Sequence, residues 1–190
     1  MIKGEKIRFE IHNILYSIYK FNKTLNNPLI EKKISKYNKQ DNSLLNNVVL
    51  NSMRYSFHTL KIIKKYVKKK TKDHERILLI SAITQIVFLN FKEYAVINCS
   101  VEIAKKLRLY SGIINATLKK IALNKKKLSE IKLKFNDMPL WLQKESKSLS
   151  IDEKYKFVDN FFKEPDIHIV FKDETKLNFF EDKLIKTSEV

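Results

Sequence analysis

An all-α fold wrapped around one buried helix is what this sequence predicts, and three observations carry that prediction. Only two glycines (Gly4, Gly112) and three prolines (Pro28, Pro139, Pro165) interrupt its 190 residues. Sandwiches, barrels and phosphate-cradling loops need residues that tolerate positive φ, so this scarcity argues against them. Apolar residues recur three and four positions apart through most of the chain, the period of a helix packed on one face. One stretch, Ile77 to Leu89, is apolar almost all round, which marks a helix surrounded by others. Apolar content of 44% is ordinary, so the chain is not a disordered basic tail.

The elements follow in order. Ile7, Ile11, Ile14, Leu15 and Ile18 draw a first helical stripe, which Asn26-Asn27-Pro28 interrupts. Leu44, Leu45, Val48, Val49 and Met53 mark a second, with Asp41 or Ser43 as its cap. Leu60, Ile63 and Val67 mark a third, whose other face carries Lys61, Lys64, Lys65 and Lys68. The run Lys68-Lys69-Lys70-Thr71-Lys72 repels itself and is a connection. Asp73 is placed to cap the central helix, with Glu75 in the first turn, where the helix dipole favours an anion. Val96, Ile97, Val101, Ala104 and Leu107 form the next helix, and Ile114, Leu118 and Ile121 the one after Ser111-Gly112.

After Leu123 the composition shifts. Asn124-Lys125-Lys126-Lys127 reads as a basic hinge, and the chain is expected to divide into a helical domain over residues 1–135 and a helical linker with the start of a second subdomain over 136–190. Asp137 and Pro139 open a short helix holding Leu140, Trp141 and Leu142. Ser150-Ile151-Asp152-Glu153 has the capping-box form ahead of Tyr155, Phe157, Val158, Phe161 and Phe162. Ile167 to Phe171 is the one strand expected, and Asp173 caps a last helix over Thr175–Ile185. That strand–helix extension has no sheet partner in the chain and reads as the start of an incomplete second subdomain.

The charge narrows the function classes. Lys plus Arg total 38 against 21 Asp plus Glu, a formal charge of +17. Such an excess favours polyanionic partners, because neutralising phosphates releases counterions. The cations are nearly all lysine, which offers point charge rather than bidentate recognition, so salt-sensitive backbone contact is expected over sequence readout. Joint enrichment in Lys and Asn is also what an AT-rich coding sequence produces. Cys99 stands alone, which excludes an internal disulfide or a multi-cysteine metal site; in its apolar-striped helix it is expected in the core. His12, His58, His74 and His168 show no ligand spacing. No signal peptide opens the chain and no apolar run is long enough for a membrane span, which points to a cytoplasmic protein without membrane contact. Neither a metal nor a cofactor is called for.

Three pieces in order carry a resemblance. Glu75-Arg76-Ile77-Leu78-Leu79-Ile80 through Gln85-Ile86-Val87-Phe88-Leu89 is followed by Ala95-Val96-Ile97-Asn98 with Val101-Glu102-Ile103-Ala104-Lys105, and then by Gly112-Ile113-Ile114-Asn115-Ala116-Thr117-Leu118-Lys119-Lys120. Over about residues 5–123 this trio resembles the NusB-like RNA-binding domains, which implies a helical bundle that binds RNA. Gln85, the Asn115-Ala116 pair, Pro139-Leu140-Trp141-Leu142 and Glu164-Pro165 ahead of the strand are more similar to the N-terminal domain of bacterial ribosomal-RNA cytosine-C5 methyltransferases (the RsmB or Sun type). That likeness implies an RNA-targeting part whose chemistry is done by a separate S-adenosylmethionine-dependent catalytic domain, since this sequence shows no counterpart of its catalytic cysteines. Cys99 stands where the family usually has Glu, and the usual Arg-x-Asn after the strand is replaced around Val170-Phe171-Lys172. The alternatives are a free-standing NusB-type antitermination factor acting on a leader RNA with a small ribosomal protein, and a helical protein-interaction module.

The resemblance places RNA contacts on the basic first helix, at Lys3, Lys6 and Arg8. Charge alone adds Lys119, Lys120, Lys125 and Lys126. The block Lys61, Lys64, Lys65, Lys68, Lys69 and Lys70 reads first as a solvated face and loop. Asn98 and Asn115 are expected to bond across helices, since buried amides need partners. Trp141 could stack on a base, but between Leu140 and Leu142 it is expected to pack the last helices onto the core. Arg54 either meets phosphate or satisfies the carbonyls at its helix end.

Overall fold

A computed structural model of the chain describes residues 3–162, and every element in that span is helical. The expected strand Ile167–Phe171, the helix Thr175–Ile185, His168 and the Glu164-Pro165 step lie outside the described residues. The elements are α1 (Lys3–Phe21), α2 (Pro28–Ile34), α3 (Lys39–Arg54), α4 (Ser56–Tyr66), α5 (Asp73–Ile83, continued by a π turn over Thr84–Phe88), α6 (Glu93–Lys106) and α7 (Ser111–Leu123). A short α8 (Lys125–Ser129), a 3-10 turn (Phe135–Asp137), α9 (Leu140–Glu145) and α10 (Ile151–Phe161) complete them.

The all-round apolar helix is the centre. Every residue of α5 from Ile77 to Ile83 is buried, and α5 touches α1, α3, α4, α6 and α7. Its two ends serve two apolar clusters. Ile77 packs with Ile7, Ile11, Ile14 and Leu15 of α1, Ile30 of α2 and Leu45, Val48 and Val49 of α3. Leu78 to Val87 pack with Ile62 and Ile63 of α4, Val96, Ile97 and Ile103 of α6, and Ile114, Leu118 and Ile121 of α7. At roughly 1.5–3 kcal/mol per fully buried aliphatic side chain, this one helix supplies a large part of the apolar driving force. Phe91, just past the π turn, packs against both clusters and joins them.

Local chemistry differs from the sequence expectation at several ends. Pro28 does not merely interrupt: it is the first residue of α2, where its missing N–H costs nothing, and Asn27 Oδ1 accepts from Leu29 N at 3.1 Å. Asn38, not Asp41 or Ser43, caps α3, its Oδ1 accepting from Asp41 N at 2.9 Å. Asp73 makes no cap bond; it is the first residue of α5 and takes Lys20 and Arg76, each at 2.7 Å. The basic stretch after Leu123 is not a hinge but α8, which buries Leu128 in the bundle core. The capping box at Ser150 is present, with Ser150 N donating to Glu153 Oε2 at 2.8 Å.

Past α8 a third, small cluster forms from Leu133, Met138 and Val158 with Phe57 of α4 at its edge. Lys61 of α4 ties this unit on, its Nζ donating to Asp137 Oδ2 at 2.7 Å and to Lys132 O at 3.3 Å. Trp141 does not pack onto the core; it is 65% exposed. A six-residue helix has room to bury one side only, and Leu142 takes that side.

Candidate nucleic-acid interface

The structure separates the named basic residues into two groups. Lys6 is exposed and makes no ion pair among the described residues, and Lys3 opens α1. Beside them Glu5 is buried, and its Oε1 takes Lys106 Nζ, from the last residue of α6, at 2.6 Å. That pair pins the first turn of α1 to the C-terminal end of α6. Arg8 turns inward: its Nε donates to Gln85 Oε1 at 2.8 Å and its Nη1 to Gly4 O at 3.1 Å. A Cβ on Gly4 would stand 3.2 Å from that Nη1, so glycine makes room for the guanidinium. Gln85 is itself buried, with Nε2 donating to Ser81 O at 3.2 Å and Ser81 Oγ at 3.1 Å. Arg8 is therefore first a strut between α1 and the central helix.

Lys119 and Lys120 stand exposed near the end of α7. Lys125 is held down, with Nζ 2.6 Å from Glu93 Oε1 and 3.3 Å from Asn90 Oδ1, while Lys126 is exposed. The short turn over 107–110 folds α7 back along α6, so this second group lies at the N-terminal end of α6. Fourteen residues of α6, at 1.5 Å each, put the two groups about 20 Å apart. They do not form one patch.

The break between α6 and α7 falls where the sequence placed it, ahead of Ser111-Gly112, but the charge the turn presents was not foreseen. Arg108 sits there exposed to solvent at φ 53°, a left-handed conformation that few residues other than Gly, Asn and Asp adopt. Two residues on, Tyr110 receives Lys69 Nζ at 5.1 Å from its ring centroid, and Lys69 also lies 3.9 Å from Glu75. The turn thus links the α1 end, through Lys106 and Glu5, to the lysine loop 68–72. Lys6, Arg108, Lys68 and Lys70 carry charge along this ridge with no ion-pair partner among the described residues. Lys105 and Lys106 are each neutralised in part, by Glu102 at 2.7 Å and by Glu5. The one sequence signal was a cationic helix end, Lys105-Lys106; the distant pairing with Glu5 has none.

The remaining candidates fall away from the ridge. Lys61 is structural, as above. Arg54 Nη1 donates to Asn51 Oδ1 at 3.2 Å inside its own last turn. Asn98 is exposed and Asn115 half-buried, so neither is the buried bridging amide expected; the helical period turns Asn98 away from the packed face. Cys99 is a half-buried free thiol, not a core residue. Among the described residues no three His, Cys, Asp or Glu side chains gather as a metal needs, and no helix is long and apolar enough to cross a membrane.

The sequence pattern of the NusB family matches residues 5–123, well over half of the chain. The chain belongs to the NusB family. The matched span runs from the first turn of α1 to the last residue of α7. The family unit is thus the bundle around α5, and it contains the whole ridge from Lys6 to Arg108. Lys125, Lys126 and the small cluster beyond them fall outside this NusB-family span. No curated protein matches the chain.

Proposed function

We propose that this NusB-family domain binds structured RNA through phosphate contacts along the ridge of Lys3, Lys6, Arg108, Lys68 and Lys70, with Lys119, Lys120 and Lys126 as a second contact about 20 Å away. The observation that supports it is the family match over a bundle whose α1–α6–loop edge carries Lys6, Arg108, Lys68 and Lys70 without ion-pair partners among the described residues; Lys64 and Lys65 of α4 and Lys119 and Lys120 of α7 stand exposed in the same way elsewhere. Arg8 contributes by holding α1, and Lys125 by holding α8, rather than by meeting RNA. The RNA is ribosomal in this reading, and the domain is the targeting part of a cytosine-C5 methyltransferase of the RsmB or Sun type. Gln85, Asn115-Ala116 and the Pro139-Leu140-Trp141-Leu142 continuation support that finer assignment.

A second reading has its own support: the family match stops with α7, so a NusB-type antitermination factor working with a small ribosomal protein fits the same bundle. Binding of a ribosomal-RNA fragment across a salt series tests the RNA reading. Affinity should fall steeply as salt rises. Lys6→Glu with Arg108→Glu should weaken binding to all sequences and flatten the salt slope by about 0.7–0.9 for each phosphate left unneutralised. Salt-independent binding would sink it. A stable complex with a small ribosomal protein on leader RNA, and none with a methyltransferase domain, favours the second reading.

A further inference from the structure

Outside the family span, the 3-10 turn, α9 and α10 enclose a cleft of about 510 Å³. Four lysines, Lys134, Lys144, Lys147 and Lys154, line it together with the rings of Phe135 and Tyr155, and no carboxylate does. Tyr155 is 68% exposed, and Trp141, one turn from Lys144 on α9, is equally open; neither ring stacks on another among the described residues. Exposed flat rings interleaved with lysines are what a single strand uses, bases on the rings and phosphates on the cations. The floor also carries amides. Asn136 lines it, and Gln143 spends its Nε2 on Met138 O at 2.6 Å, leaving Oε1 to accept from a base edge. Leu140 and Ile151 complete the lining as apolar surface on which a base can also rest, and an acidic peptide is the alternative that the polyglutamate control reads.

We propose that this cleft is a second RNA site, separate from the ridge, that takes a short single-stranded segment of a few nucleotides. The proposal rests on the RNA reading above but uses different residues, so the two can fail separately. Trp141 is the one tryptophan of the chain, and its emission reports the α9 rim directly. An oligouridine octamer titrated into the full chain should quench that emission saturably. Lys144→Glu with Lys147→Glu, and separately Tyr155→Ala, should each weaken the quench about tenfold or more. Lys6→Glu with Arg108→Glu should leave it unchanged. Circular dichroism of each variant checks that the helices stay formed. Emission unmoved by oligouridine overturns the proposal. So does quenching by polyglutamate in its place, or quenching abolished in the ridge variant and kept in the cleft variants. In that last case the ridge reading stands and the cleft alone falls.

Discussion

Two regions of this chain use the same apolar residue types to opposite ends. In the α1–α7 bundle, α5 lies among five other helices, and Leu79 and Ile83 are 1% and 0% exposed. In the α9–α10 unit, Leu140 and Ile151 are 74% and 73% exposed. Hydrophobicity does not separate them; the number of neighbours does. A helix is buried all round only when enough others surround it, and six- and eleven-residue helices over a three-residue core have too few. The bundle spends its apolar surface on folding, and among the described residues the appended unit leaves its own uncovered.

Truncating both regions breaks or sustains that contrast with the largest effect. Ile83→Ala should cost about 2–5 kcal/mol, since it opens a cavity between α5 and its neighbours. Leu140→Ala should stay within about 0.5 kcal/mol, because its side chain is already in water. Urea unfolding of both variants measures this directly, and a loss at Leu140 comparable to that at Ile83 would show the appended unit to be part of the core.

A titration comes next. His12 is wholly buried on α1, sharing a 3.0 Å hydrogen bond between its Nε2 and His74 Nδ1, with its Nδ1 unpartnered. Burial, then the neighbouring His74, holds its pKa down at about 4. The folded state therefore binds its proton less readily than the unfolded state, whose histidine has a pKa near 6.5. Stability is full above pH 6.5 and declines as pH falls toward 4, by about 3 kcal/mol for His12. His58, held at about 4 by burial and then by Lys61, slopes the same way. It lies at the seam against the Phe162 ring, 4.7 Å between centroids, where solvent screens it, so its share is smaller. Unfolding free energies at pH 7.5 and 4.5 should show the drop, and His12→Leu should remove most of it.

The appended unit has its own local test. Ser150→Ala removes the cap in which Ser150 Oγ accepts from Glu153 N at 3.3 Å and donates to Glu153 Oε2 at 2.7 Å. The expected loss is about 1 kcal/mol. It should appear in hydrogen exchange as faster opening of α10 with α5 unchanged, which is what two separate cores imply.

How much of this the sequence disclosed follows from range. The helices were legible because their signals are local: the nearly continuous apolar run of α5 and the lysine loop after α4 in the bundle, and the capping box at Ser150 in the appended unit. The family trio was legible for the same reason. Trp141 was misplaced because a Leu-Trp-Leu triplet says nothing of how many helices stand near it. The ridge was half seen. Lys6 announces itself as a cation on a first helix, but Arg8 looks identical until Gln85, 77 residues away, is found holding it. Glu5 and Lys106 are 101 residues apart, and no period or motif pairs them. The two groups of lysines were named separately, but only the fold, with α6 between them, sets them about 20 Å apart.

The one expected gain in stability sits where the bundle overrules a local preference. Arg108 holds φ 53° in the α6–α7 turn, with Leu109 N donating to Ala104 O at 2.8 Å across it. Asn22 and Asn90 fill the two other such positions among the described residues, at φ 50° and 52°, with a residue whose short polar side chain suits them. Arg108→Asn should therefore stabilise the bundle slightly, by a few tenths to about 1 kcal/mol. The same change removes one unpaired cation from the ridge, so RNA affinity should fall and its salt slope flatten by the equivalent of about one phosphate. Stability and binding then move in opposite directions at one residue. If both rise, Arg108 is an accident of the turn; if stability rises while binding falls, the strained backbone is kept for the charge it presents.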